Sequence, residues 1–462
     1  MSFDIENGNN TPKKRSSLVF ESDKKRSLFR STDKSPPIGI LAFETAKTMS
    51  RLLCLHKSLS DEEVSKLRKE TVKLEGISFL ISRDEDYLLK LACMEKAEEL
   101  DHAGAVVARL GKNCFNPDLI NFDRIFNDMK LGIIDLSHFS SAKQVEKTME
   151  KLEKYVATTS ELYSCLEALT EMEMSERKLK QWKFSGPMPL LVKSNDISKK
   201  TNYDYFDSKI AWQRQQVRHL RQISLWGQTF NKTVRLMARG VCIVYARLSI
   251  TFSPYMIKPS RHIRISSHPD MQSYHINRLE RGGGGLSRSS QVRGNSSEKN
   301  IGTGGSALMR QAKQSTAGAA GLALRYAKVI LVADRFLQTW SFIDESGREE
   351  LFQMLPRNLR RLVKSKLRKI TVEESRDESL AEGWREGLKR ILGWLAPMAN
   401  DTLKWQMERN VEKQDFDPRP KVLLLQTLFF ADREKSEAAI AEVLVGLSCI
   451  CKYELRNPEV SE

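Results

Sequence analysis

Several things are missing from this sequence, and each absence excludes a class of protein. Between Ser208 and Pro269 there is no Asp or Glu at all, against 11 Lys and Arg. At the chain-average frequency about 8 acids would stand in such a window. The cysteines are scattered and odd in number: Cys54, Cys93, Cys114, Cys165, Cys242, Cys449 and Cys451. Such a set excludes a secreted disulfide framework and fits a reducing compartment. The one close pair, C-x-C at 449–451, lies in an apolar stretch, so these thiols read as small buried residues and not as zinc ligands. His262, His268 and His275 fall close together at a spacing that fits no zinc site.

Long hydrophobic runs are also lacking. Residues 1–37 contain no apolar core of a signal peptide. The most apolar helix candidate, Ala317–Ala333, carries Arg325 and Lys328, and each would cost about 2.5–3.5 kcal/mol at a bilayer centre. No series of alternating strands is present, which excludes a parallel sheet or barrel. There is no G-x-S-x-G, H-E-x-x-H, P-loop or kinase motif set. Gly302-Thr-Gly-Gly305 lacks the Gly-Lys-Ser/Thr ending of a nucleotide loop. No catalytic residue, cofactor site or metal site is therefore expected.

What is present is charge, unevenly placed. The 462 residues carry 75 Lys and Arg against 59 Asp and Glu, a net charge of +16. Most of the excess lies within 208–300, whereas 316–455 is nearly balanced and 38–207 is slightly acidic. The polar segment 1–37 reads as a disordered basic tail. Its triplets Lys13-Lys14-Arg15 and Lys24-Lys25-Arg26 resemble a bipartite nuclear import signal.

The rest reads as helix. Apolar residues recur at helical spacing from Ile40, and Ser60-Asp-Glu-Glu63 and Ser82-Arg-Asp-Glu85 are capping boxes. Between Ser141 and Trp182, Val145, Met149, Leu152, Val156, Tyr163, Leu166 and Leu169 form a seam that packs inside its own domain or, alternatively, on a partner helix. Residues 183–207 read as a loop. A long helix over 208–252 is then expected. On its wheel Trp226, Phe230, Val234, Met237, Val241, Val244 and Leu248 make a narrow apolar stripe. Arg214, Arg218, Arg221, Lys232, Arg235, Arg239 and Arg247 fall opposite. An ordinary solvated face mixes both signs to gain i,i+4 pairs; this one is wholly basic.

Residues 253–315 contain Pro254, Pro259 and Gly282-Gly-Gly-Gly285, and read as a flexible linker. A C-terminal helical module follows over 316–455, with a short tail at 456–462. In it a helix is expected over Ala317–Phe342, Pro397 marks a kink or break, Val422–Phe430 reads as a short buried helix, and Asp432 caps the last helix. The expected architecture is all-α: a disordered basic tail, two helical-bundle modules at 38–252 and 316–455, and a long Gly/Ser-rich linker between them.

Particular strings sharpen this. Ile40-Leu-Ala-Phe-Glu44, Leu59-Ser-Asp61, Arg221-Gln-Ile-Ser-Leu-Trp226, Ala319-Ala-Gly-Leu-Ala-Leu324, Met354-Leu-Pro356, Ile391-Leu-Gly-Trp-Leu-Ala-Pro397, Leu423-Leu-Leu-Gln-Thr-Leu428 and Ala431-Asp-Arg-Glu-Lys435 resemble, in order, the plant PSK-simulator family. The family's N-terminal domain would cover about 38–95. The resemblance implies a non-enzymatic regulator or scaffold of plant growth linked to phytosulfokine peptide-hormone signalling, in the nucleus, the cytoplasm or at the membrane periphery. Some members start Met-Gly and look N-myristoylated. This sequence has Ser2 where that modification needs glycine, which favours the import reading of the basic tail.

Two uses of the basic face follow. It would dock an acidic or phosphorylated protein, or an anionic membrane surface. Alternatively it would track nucleic-acid phosphates, although aromatics do not interleave with the charges. A third arrangement competes with both: the face would pack on the acid-richer 38–207 region of the same chain.

Overall fold

The computed structural model describes residues 35–139, 141–185, 196–256, 306–338, 345–370, 378–409, 416 and 421–454. The basic tail with Lys13, Lys14, Arg15, Lys24, Lys25 and Arg26, residues 257–305 of the expected linker with its three histidines, and the tail 456–462 lie outside these residues. Among the described residues the fold is all-helical, and two isolated backbone bridges are its only β pairing.

The N-terminal helices are α1 (Leu41–Ser58), α2 (Asp61–Lys69), α3 (Glu75–Leu80), α4 (Glu85–Gly111), α5 (Pro117–Ile120), α6 (Phe122–Lys130), α7 (Ala142–Ser185), α8 (Asp196–Ile223) and α9 (Phe230–Thr251). Their starts follow local chemistry. The Ser60 hydroxyl accepts from the Glu63 N–H at 3.3 Å, as a capping box requires. At α4 the cap is Asp84, whose carboxylate accepts from the Asp86 and Tyr87 N–H groups. Ser82, the expected cap, instead receives the Asp84 N–H, which sets the turn before it. Asn116 caps α5, with Pro117 in the first turn, where its missing N–H costs nothing.

Helix α1 packs against α4, α7 and α9, burying Ala42, Ala46, Met49 and Leu53. The seam on α7 packs inside the chain. Met149, Leu152 and Val156 are buried, and Leu162 joins Val217 and Leu220 of α8 in a small apolar cluster. Thr159 and Leu162 take buried positions, while Tyr163, one of the expected seam residues, is 40% exposed. A helix of 3.6 residues per turn drifts off a strict heptad. The loop expected over 183–207 is largely helix: α7 runs to Ser185 and α8 begins at Asp196.

The C-terminal helices are α10 (Ala323–Gln338), α11 (Glu345–Met354), α12 (Arg357–Leu367), α13 (Glu378–Glu408) and α14 (Arg433–Glu454). Helix α10 packs on α13 and α14, and α12 packs on α14. Three expectations change. Helix α10 starts at Ala323 because Ala317 and Gly318 donate backbone hydrogen bonds to Ala431 and Phe429 at 2.8 and 2.9 Å. A Cβ on Gly318 would stand 2.5 Å from the Phe429 carbonyl oxygen. The segment around 422–430 holds only a single turn at Leu424–Gln426. Helix α13 passes through Pro397 unbroken. Burial of Leu395, Ala396, Met398 and Ala399 around it offsets the roughly 3 kcal/mol penalty of an interior proline.

The helices before 257 and those after 305 contribute to one contiguous buried apolar cluster. At their meeting, Gly76 of α3 lies under α13, where a Cβ would stand 2.6 Å from the Met398 sulfur. Phe79 packs on Trp394, with ring centres 5.5 Å apart. The Asp432 N–H donates to the Leu80 carbonyl at 2.8 Å.

Candidate docking surface and module junction

The basic helix expected over 208–252 is two helices. Helix α8 ends at Ile223, a single turn spans Leu225–Gly227, and α9 begins at Phe230. Three local residues make the break. The Ser224 hydroxyl accepts from the Trp226 N–H. Gly227 sits where a Cβ would be 2.7 Å from the Arg221 carbonyl oxygen. Thr229 adopts an extended conformation before α9. Tertiary contacts then occupy the opened backbone. The Phe230 N–H donates to the Pro36 carbonyl, and the Ile38 and Gly39 N–H groups donate to Gln228 and Trp226. The Thr159 hydroxyl accepts from the Leu225 N–H at 3.2 Å. Phe43 meets the Trp226 ring edge-on at 5.9 Å, so two of the strings that carry the family resemblance touch at this break.

The seven basic residues therefore do not form one continuous face. Arg214 on α8 reaches the Glu173 carboxylate of α7 through Nε and Nη2, at 3.1 and 2.9 Å. The Arg221 guanidinium lies 4.9 Å over the Trp226 ring. Lys232 donates to the Gln228 side chain at 3.4 Å. Arg239 donates to the Gln144 side chain at 2.9 Å. Arg247 donates to the Leu59 carbonyl at 3.1 Å and pairs with Asp61 at 2.6 Å. Arg218 and Arg235 are exposed and have no ion-pair or hydrogen-bond partner among the described residues. Arg214, Arg239 and Arg247 thus engage groups within 38–207, the intramolecular arrangement the sequence left open. On α8, Arg214, Arg218 and Arg221 still share one exposed strip, beside the buried row of Gln213, Val217 and Leu220.

A second polar site, which the sequence did not single out, lies at the module junction on α4. Glu95 and Lys96 are each 5% exposed. One Glu95 oxygen accepts from Trp405 Nε1 at 3.3 Å and from Arg409 Nη2 at 2.6 Å. The other accepts from the Leu424 N–H at 2.7 Å. The Arg409 guanidinium lies 4.2 Å over the Trp405 ring. Burial pushes the Glu95 carboxyl above the usual carboxylate range, against the pull of Arg409 and the two N–H donors. Lys96 donates to the Ser58 hydroxyl at 2.8 Å, and burial pushes its ammonium below the usual lysine range, against the pull of Glu95 and Glu99. One turn on, Glu98 accepts from the Ser306 hydroxyl and the Leu308 N–H. Lys421 stands 3.8 Å from Glu99. A signal was available: Glu95 continues the Leu88, Leu91, Ala92 spacing, so a charge falls on the apolar face.

Asp432 is a helix cap, its carboxylate accepting from the Lys435 N–H at 3.0 Å. Five of the seven cysteines are buried, with Cys165 and Cys451 half-buried, and all are free thiols. Burial pushes Cys242 up to about 12. Among the described residues no group of His, Cys, Asp and Glu could hold a metal, and no helix is long and apolar enough to cross a membrane.

These features define a class: two all-helical domains locked face to face through α3, α4, α13 and the 424–426 turn. Comparison with known proteins gives the same pairing. Residues 40–96 match a domain of unknown function, DUF3475, and residues 316–404 match a protein family of unknown function, DUF668. The junction residues Gly76, Phe79, Glu95, Trp394 and Met398 lie inside the two matched regions. The chain is similar to the PSK SIMULATOR proteins of Arabidopsis thaliana. It is 26% identical to Protein PSK SIMULATOR 1 of Arabidopsis thaliana over 92% of its own length and 59% of the relative. With Protein PSK SIMULATOR 3 of the same plant it is 25% identical, over 90% of the chain and 56% of the relative. The chain thus spans somewhat under three-fifths to three-fifths of the curated relatives it matches. The comparisons indicate no enzymatic family. No solved structure matches it.

Proposed function

We propose that this protein is a non-enzymatic regulator of plant growth, related to phytosulfokine signalling, that acts by docking an acidic or phosphorylated protein on α8. The relation to the PSK SIMULATOR proteins supports the biological role. The observation that carries the mechanism is Arg218. It is an exposed cation with no partner among the described residues, flanked one turn away on either side by Arg214 and Arg221. Such a row steers an anionic partner and raises its association rate. Arg239 and Arg247, on α9 and bonded to Gln144, Leu59 and Asp61, fall outside this surface.

The test is affinity capture from plant extract at low salt. Replacing Arg214, Arg218 and Arg221 with Glu is expected to remove at least one captured protein, while Arg239→Gln leaves it bound. An unchanged set of captured proteins sinks the docking reading. A fluorescent fusion in which Lys13, Lys14, Arg15, Lys24, Lys25 and Arg26 are replaced by Ala tests import separately; loss of nuclear signal is the expected outcome.

A further inference from the structure

A cavity in the C-terminal helices belongs neither to the docking surface nor to the junction. It lies between α10, α11, α12 and α14 and encloses about 350 Å³, within the range of about 300–1,000 Å³ usual for ligand pockets. Its wall is apolar, formed chiefly by Phe336, Leu351, Phe352, Leu355, Leu444 and Leu447. Two cations, Arg348 and Lys452, also line it, and no carboxylate does among the described residues. Arg348 reaches no carboxylate there; its Nη1 donates to the Cys451 sulfur at 3.4 Å. Lys452 has no ion-pair or hydrogen-bond partner among the described residues. Outside the lining, Arg360 and Lys364 lie 5.1 and 5.3 Å from the centre of the Phe352 ring, and Arg360 also donates to the Leu355 and Gln353 carbonyls. Neighbouring acids are engaged elsewhere, Glu349 with Gln353 and Glu454 with Arg385.

We propose that this cavity binds one long-chain amphiphile with an anionic head. The chain fills the apolar wall, and the head sits between Arg348 and Lys452. An apolar molecule without charge would make no use of the two cations at the mouth, and a small anion would leave the apolar wall in water. The same chemistry is offered by a free fatty acid and by an acidic phospholipid.

Two arms separate these sources, both using the full chain. In the first, the protein is titrated with cis-parinaric acid, whose fluorescence rises in an apolar site. A saturable one-to-one rise is expected. Leu447→Trp, which fills the cavity, and the exposed pair Arg348→Glu with Lys452→Glu, which reverses the head site, should each weaken it at least about tenfold. In the second, the protein is floated with phosphatidylcholine vesicles, with and without phosphatidic acid. Capture by the acidic vesicles that Leu447→Trp abolishes assigns a bilayer lipid, and probe binding without capture assigns a free fatty acid. If Leu447→Trp disturbs the helical circular dichroism, the surface pair alone decides. A signal insensitive to the variants, or none in either arm, overturns the proposal.

Discussion

Glu95 and Arg409 show how much a single contact can hold at the junction. The carboxylate is buried and its charge is met by one guanidinium and two N–H groups from beyond the linker. Removing one member of such a set leaves a buried charge without its partner. Arg409→Met is expected to lower stability by about 3 kcal/mol in urea titration, and Arg235→Met, at an exposed position, by less than about 0.5. His56 gives the pH dependence. Burial, reinforced by the nearby Arg247 and Lys57, holds its pKa below the ordinary 6.5. The folded protein therefore keeps His56 neutral where the unfolded chain already takes up a proton. Stability falls as pH drops through 6.5 towards the lower folded value. Thermal melts of His56→Gln across that window should show a shallower acid dependence than the parent protein. An equal slope would remove His56 as the cause.

At the scale of elements the break between α8 and α9 is the informative place. Ser224, Gly227 and Thr229 are all visible in the sequence, and each is a terminator or a cap. The apolar spacing from Trp226 to Leu248 nevertheless reads as one helix, because a helical wheel weighs period and not backbone geometry. The turn exists because Pro36–Gly39 supplies donors and acceptors for the opened backbone. Gly227→Ala places a Cβ against the Arg221 carbonyl oxygen at 2.7 Å. It is expected to cost about 1–3 kcal/mol, read as a lower melting temperature. A melt at the parental temperature would show that the turn has room to spare. Elsewhere elements were legible where packing agreed with local signals, as at Ser60 and Asp432. They were misread where packing overrode them: Pro397 lies inside α13, and the Gly318 turn is held against the Phe429 backbone.

For the whole molecule, the charge excess and the shared core have different consequences. The basic row is partly spent inside the fold, so only part of the excess on 208–252 is left exposed and unpaired among the described residues. The shared core couples the modules. Trp226 reports on the first, and Trp384, Trp394 and Trp405 report on the second. Unfolding is expected as one transition, with tryptophan fluorescence and far-ultraviolet circular dichroism coinciding. Two separated transitions would mean that the junction around Glu95 contributes little. Residues 306–454 expressed without the N-terminal helices would expose Trp394, Met398 and Phe430 and are expected to aggregate.

By itself the sequence determined the helical class, the paired modules, the family relation and the location of the positive charge. Each is written in local period, composition or recognisable strings. Only the tertiary structure decided where the basic helix breaks, which arginines face inward, and that Glu95 links the two modules. Those outcomes depend on residues far apart in the chain, such as Pro36 with Phe230, Asp61 with Arg247 and Glu95 with Arg409. Proximity of that kind arises only when apolar burial brings the helices together, and no local period encodes it.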